Sequence, residues 1–226
     1  MLEAKREAAR AALALLPERG VVGLGSGSTA ELFITEVGGL VAQGRALVGV
    51  PTGVAGRRQA ESLGIPLLPD EGPWAIDVCV DGADEVSDAL DLIKGGGGCH
   101  TREKLVNYAA RTNVIIVDES KLSARLGERW AVPVEVLQFG AGNTRRRLER
   151  HGDVTLRERA GRPFVTDSGN HIYDVRTGPI ADPVTLDREL SSIPGVVETG
   201  LFLARADVVV VAGTSGVRLL RRSTTA

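Results

Sequence analysis

The first half of the chain alternates helical apolar stripes with short, nearly continuous apolar runs. Residues 2–16, LEAKREAARAALALL, are helix formers with an apolar stripe on one side, closed by Pro17 and Gly20. GVVGLGSGSTAELF then reads as a short strand, a glycine turn and the start of a helix. ALVGV is a second strand, residues 54–63 form a helix stopped by Gly64, and residues 65–68 a further short strand. Residues 76–80, IDVCV, are apolar or small apart from Asp77 and mostly β-branched, the pattern of a parallel strand covered on both faces. Residues 102–111 read as helix and 113–118, NVIIVD, as another buried strand.

The rhythm changes after about Arg129. WAVPVEVLQF, the basic helix NTRRRLERHG, VTLRER, PFVTDSGNHIYDV and the helix TLDRELSSI give short alternating strands, hairpin turns and two helices. ADVVVVAG at 206–213 is again a run for a parallel sheet, so the last strand returns to the first layer. The expected fold is α/β. A parallel-sheet domain spans 1–129 plus 203–226, with a small α+β domain inserted over 130–202.

Composition narrows the partners. At 226 residues and 43% hydrophobic content the chain can bury a sizeable core. A formal charge of −2 offers no overall attraction for nucleic acid or an anionic membrane, so any phosphate must be held locally. The cluster Arg145 to Arg147 lacks interleaved aromatics and reads as a solvated helix face. Neither a charged-then-apolar leader nor an apolar run of about 18 residues is read, which makes the cytoplasm the expected location. Cys79 lies within an apolar strand; Cys99 beside His100 lacks the geometry of a thiol–base pair, since sequence neighbours rarely face one another. His151 and His171 have no metal-ligand spacing, and neither a metal nor a cofactor is expected.

Candidate chemistry concentrates between Ile76 and Lys104. Asp81 ends the IDVCV strand, and Asp84 follows in the sequence DGAD, Asp81, Gly82, Ala83, Asp84, where open α/β sheets place their ligands. Lys94 leaves a second short apolar run, Leu90 to Ile93, and enters four glycines, Gly95, Gly96, Gly97 and Gly98. Four in a row cost conformational entropy, and they let backbone amides approach a ligand. Thr101 is placed to cap the following helix, with Glu103 in its first turn. Each residue also has a plain structural role: Asp81 and Asp84 as turn formers, Lys94 and Lys121 as solvated charges, Glu103 as an acid favoured by the helix dipole.

Upstream, Ser26, Gly27, Ser28 and Thr29 form a cradle of hydroxyls and amides at a helix N-terminus, suited to one small phosphate or to an ordinary capped turn. Gly23 and Gly25 match the start of a dinucleotide fingerprint. The third position is Ser28, however, and the second strand ends in Pro51 and Thr52 without a ribose-binding acid. A P-loop is excluded by the missing Gly-Lys-Ser/Thr.

In order along the chain, GSGST at 25–29, DGADE at 81–85, LIKGGGG at 92–98, TREK at 101–104, PVEV at 133–136, TDSGN at 166–170 and GVVETGLF at 195–202 resemble ribose-5-phosphate isomerase, type A. The resemblance implies a Rossmann-like domain with a small ferredoxin-like domain, a homodimer or homotetramer, and metal-free interconversion of ribose 5-phosphate and ribulose 5-phosphate in the pentose phosphate pathway. By the same resemblance Ser26 to Thr29 hold the phosphate, and Asp81 to Asp84 with Lys94 to Gly97 contact the sugar. Glu103 accepts the proton and Lys121 touches the substrate; Lys5 is a further candidate for the phosphate. Ser26 stands where Thr is common, and Gly98, Cys99 and His100 replace a usually small, apolar run.

Moving a carbonyl between adjacent carbons passes a proton through an enediol or enediolate, which one carboxylate can remove and return. Lys94 and the glycine amides suit the developing oxyanion, and Asp81 suits opening of the furanose ring. Two other classes share parts of this pattern. A sugar-phosphate sensor would need a DNA-binding segment, and none is read before Gly20; a CoA transferase-like enzyme would use a carboxylate as nucleophile.

Overall fold

The computed structural model describes residues 2–222. In chain order its elements are α1 (Leu2–Leu13), β1 (Arg19–Leu24), α2 (Ser28–Ala42), β2 (Ala46–Pro51), α3 (Val54–Ser62), β3 (Ile76–Asp81), β4 (Glu85–Val86), β5 (Leu92–Ile93), α4 (His100–Ala109) and β6 (Ala110–Asp118). They continue with β7 (Val132–Val136), α5 (Ala141–Leu148), β8 (Asp153–Leu156), β9 (Glu158–Arg159), β10 (Arg162–Pro163), β11 (His171–Arg176), α6 (Pro183–Ser191), β12 (Val196–Thr199), β13 (Leu201–Phe202), β14 (Val208–Gly213) and β15 (Gly216–Arg221). Two compact units result. One takes the chain up to Ala83, Arg102–Lys121 and the chain from Ala204; the other takes Asp84–Thr101 and Leu122–Leu203. Residues 84–101, 122–129 and 203, expected with the sheet domain, group with the second unit. The reason is pairing: β4 and β5 join β13 in a small sheet of their own.

The first unit is built on a six-stranded sheet in the order β15-β14-β6-β3-β1-β2. All neighbours are parallel except β15, which turns back antiparallel to β14 and has no counterpart in the sequence expectation. Strand order reverses between β1 and β3, the switch point where an open α/β sheet leaves a crevice at its carboxyl edge. Alternation along each strand feeds both faces: Val78 and Val80 join one apolar cluster with Phe33 and Ile34 of α2, while Cys79 joins the other with Val106 of α4. α1 packs by its small side, Ala8, Ala9 and Ala12, all fully buried. Gly23 lets α4 lie close to β1, since a Cβ there would stand 2.8 Å from Val106. The strand expected at 65–68 reduces to a single bridge, Gly49 to Leu67. Pro66 accepts from the Gly49 amide at 2.8 Å but has no N–H with which to extend the ladder.

The second unit carries an antiparallel sheet, β12-β7-β11-β8, reached in the chain order β7-α5-β8-β11-α6-β12. This is the βαββαβ arrangement of ferredoxin-like domains. Val132, Val134, Val136, Tyr173 and Val175 from its strands pack with Leu148 of α5 and Leu190 of α6. Asp182 caps α6 by accepting from the Thr185 amide at 3.0 Å, a bond that holds its carboxyl below the ordinary carboxylate range. Glu85, fully buried, is tied down by the amides of Gly127 at 2.8 Å and Arg129 at 3.0 Å.

Candidate active site

In the first unit the carboxyl ends of β1 and β3 meet at the switch point. Asp81, only 2% exposed, accepts from the Ser26 amide at 3.0 Å and the Gly82 amide at 2.7 Å through the same oxygen. These two amide donors fix the turn that precedes α2. The Thr52 hydroxyl donates to the Leu24 carbonyl at 3.2 Å and lies 2.7 Å from Ser26 Oγ. With its one proton so used, Thr52 accepts from Ser26. Thr52 is fully buried and was not singled out by sequence, because its partners are brought together only by the β1–β2 pairing.

α2 starts without a side-chain cap. Its N-cap is Gly27, in the left-handed region at φ 93, and the first intrahelical bond runs from the Glu31 amide to the Gly27 carbonyl at 2.9 Å. The opening amides of a 15-residue helix carry its positive end, and Gly27 and Ser28 are exposed there. Lys5 Nζ donates to Ser28 Oγ at 2.8 Å and adds a full positive charge. Thr29 is half-buried in the same first turn. Glu103 lies in the first turn of α4 at 4% exposure, and Lys121 closes the short 3₁₀ turn after β6, half-exposed.

The second unit holds the other candidates. Lys94 leaves β5 with its amide donating to the Gly200 carbonyl at 2.9 Å and its Nζ 5.4 Å from the centre of the Phe202 ring. At 3% exposure it is buried, not the solvated charge of its structural reading. β5 pairs with β13, which brings Phe202 from far along the chain. Gly95 sits at φ +107, and a Cβ there would stand 2.7 Å from the His100 ring, so glycine is required. The Gly96 amide donates to Asp84 at 2.6 Å, which joins the DGAD and GGGG stretches into one rigid loop pair; Gly96 and Gly97 are exposed. Gly82 and Ala83 are half-buried in the connection from Asp81 to Asp84.

Thr101 does not cap α4, which starts at His100. Its hydroxyl instead donates to Glu135 at 2.6 Å. Glu135, 1% exposed, also accepts from the Thr166 hydroxyl at 2.8 Å and the Asn170 side-chain amide at 2.9 Å. PVEV, TDSGN and TREK thus share one buried carboxylate. His100 is fully buried, with Nε2 3.4 Å from the Glu198 carbonyl, a packed position unlike that of a solvent-facing base. Among the described residues no group of three or more His, Cys, Asp or Glu side chains is placed to hold a metal ion, and no helix is long and apolar enough to cross a membrane.

A family model described as ribose 5-phosphate isomerase A (phosphoriboisomerase A) matches residues 48–216. The ribose-5-phosphate isomerase A of Thermomicrobium roseum is 48% identical over 98% of this chain and 95% of its own. Among solved structures, ribose 5-phosphate isomerase A of Methanocaldococcus jannaschii superposes with TM-score 0.91 at 41% identity, covering 97% of this chain and 98% of that one. A D-ribose-5-phosphate isomerase in complex with phospho-erythronic acid superposes with TM-score 0.93 at 38% identity, with the same coverage.

Proposed function

The chain belongs to the ribose 5-phosphate isomerase A family, and from that premise we propose that it interconverts D-ribose 5-phosphate and D-ribulose 5-phosphate through an enediolate. The observation that carries the proposal is similarity over 98% of the chain at 48% identity. A relative's ligand supports the chemistry: phospho-erythronic acid joins a phosphate to a planar anionic carboxyl group, the two features an enediolate of a pentose phosphate presents.

In this function the phosphate is held by the uncapped amides and hydroxyls of Ser26 to Thr29 with Lys5, where helix dipole and ammonium both favour an anion. Asp81, positioned by the Ser26 and Gly82 amides, exchanges the proton that opens the furanose ring. Glu103 removes the proton from C2 and returns it to C1. Lys94 and the amides of the glycine loop stabilise the oxygen on which negative charge develops, Asp84 orients the sugar hydroxyls, and Lys121 adds a substrate contact. No metal or cofactor is assigned, and activity is expected to survive chelation. The enzyme acts in the cytoplasm, in the non-oxidative pentose phosphate pathway, as a homodimer or homotetramer.

The test is incubation of the purified protein with ribose 5-phosphate while ribulose 5-phosphate is followed. Free ribose, which cannot engage the loop, is expected to be a far poorer substrate. Absence of ribulose 5-phosphate would remove the proposal, and equal kcat/KM for ribose and its phosphate would remove the loop assignment.

A further inference from the structure

Arg157 follows β8 and sits beside the glycine loop. Its own backbone is fixed on both sides: its amide donates to the Ile172 carbonyl at 2.9 Å and its carbonyl accepts from the Phe164 amide at 2.9 Å. The guanidinium is held by Asp174 of β11 in a two-point contact, Nε donating to Oδ2 at 3.0 Å and Nη2 to Oδ1. The remaining terminal nitrogen, Nη1, donates to the carbonyls of both Gly95 and Gly96, the latter at 3.3 Å. A planar fork of this kind fixes direction as well as distance, which a lysine ammonium does not.

The consequence lies in the peptide planes. In a trans peptide the C=O and the following N–H point in opposite directions. Drawing the Gly95 carbonyl toward Arg157 turns the Gly96 N–H the other way, and that N–H is the one donating to Asp84. Drawing the Gly96 carbonyl turns the Gly97 N–H the other way as well. Glycines hold no orientation of their own, since without Cβ their backbone rotates freely. We infer that Arg157, oriented by Asp174, is a positioning residue that aims the amides of Gly96 and Gly97 and, through Gly96, the carboxylate of Asp84. The inference rests on the assignment of Lys94 to Gly97 as the sugar-contacting loop.

The guanidinium also borders a cleft of about 680 Å³ lined by Gly96, Arg129, Trp130, Thr155 and Asp174, wide enough to admit a free guanidinium ion once the side chain is removed. Arg157→Ala is expected to lower kcat for ribose 5-phosphate by about 10- to 100-fold, the scale of a misaimed donor set. KM should stay within about three-fold, because phosphate binding is supplied elsewhere. Millimolar guanidinium should restore turnover to the alanine variant while ammonium does not, and Arg157→Lys should recover only part of the loss. Should Arg157→Ala fail to fold, Asp174→Asn, which keeps Arg157 but removes its charged anchor, decides by the same split between kcat and KM. Turnover within about two-fold of the parent, or a loss that guanidinium does not reverse, overturns the positioning role. Lys94→Met is the companion arm. If it loses turnover and the Arg157 variant does not, only the positioning role fails; if neither loses turnover, the loop assignment fails.

Discussion

Gly25 joins the end of β1 to the Ser26 turn, and its replacement by alanine probes how tightly that turn is set against Asp81. A Cβ at Gly25 would stand 2.2 Å from Asp81 Oδ1, 2.3 Å from its Cγ and 2.6 Å from its Cα. Carbon atoms in contact sit about 3.5–4.0 Å apart, so the carboxylate has to move by more than an ångström. Rotating the Asp81 side chain relieves the first two contacts but not the third, which is backbone of the paired strand: the Gly25 amide itself donates to the Val80 carbonyl at 3.0 Å. Overpacking of this kind costs about 1–3 kcal/mol. Losing the bond from the Ser26 amide to the carboxylate adds about 1.5–3 kcal/mol, giving roughly 2.5–6 kcal/mol in all. For a chain of this size 1 kcal/mol corresponds to about 2–4 °C in Tm, so calorimetry should show a fall of roughly 5–24 °C. KM for ribose 5-phosphate should rise in the fraction that folds, because the displaced turn carries the proposed phosphate cradle. Gly39→Ala is the control: Gly39 is an exposed position in α2 with open space around its would-be Cβ, and helix propensity alone should raise stability by about 0.8–1.0 kcal/mol. Gly25→Ala with Tm and kcat/KM both unchanged would refute the close approach of β1 and Asp81.

Glu103→Gln removes, at nearly constant size, the charge proposed to accept the proton. It should lower kcat by about 10²–10⁴ with KM within a few-fold, and in the parent enzyme substrate deuterated at C2 should react more slowly and leave some label at C1. Near-normal turnover would transfer the proton step to another carboxylate. Lys94→Met keeps an apolar stem over Phe202, so kcat is expected to fall by about 10²–10³ while the melting temperature stays close to the parent's. A variant that melts early but turns over normally would make Lys94 structural. Asp182 is held below the ordinary carboxylate range by the Thr185 amide, so its capping contribution is complete above its unfolded value of about 3.9 and disappears as pH falls through the lower folded value. The Tm gap between the parent and Asp182→Ala should therefore narrow as pH falls below the ordinary carboxylate range, and a gap independent of pH would exclude an ionised cap.

The parallel strands were legible because burial on both faces leaves a nearly unbroken apolar run, as in IDVCV and NVIIVD. The Ser26 turn and the glycine loop were legible because hydroxyls and consecutive glycines have little use in a core. Properties set by distant pairing were not. Burial of Lys94 depends on β13 arriving beside β5, and the Arg157–Asp174 fork joins β11 to the residue after β8. Glu135 looked like one more position of an alternating strand, and its three donors come from three separate segments. Thr101 illustrates tertiary override: it has the chemistry of a cap, but α4 already starts at His100 and the Thr101 hydroxyl donates to the buried Glu135 carboxylate.

The partition of the chain also dictates an order of events during synthesis. The six-stranded sheet is left at Lys121 and re-entered only at Ala204, so β6 must await its neighbour β14 until the entire second unit has left the ribosome. At synthesis rates of about 5–20 residues per second that wait lasts on the order of ten seconds. Throughout it Val114 and Ile116, destined for full burial, lie on an open parallel edge that another nascent chain can occupy. Any lesion that slows the second unit therefore endangers the first, even where no side chain of the first has changed.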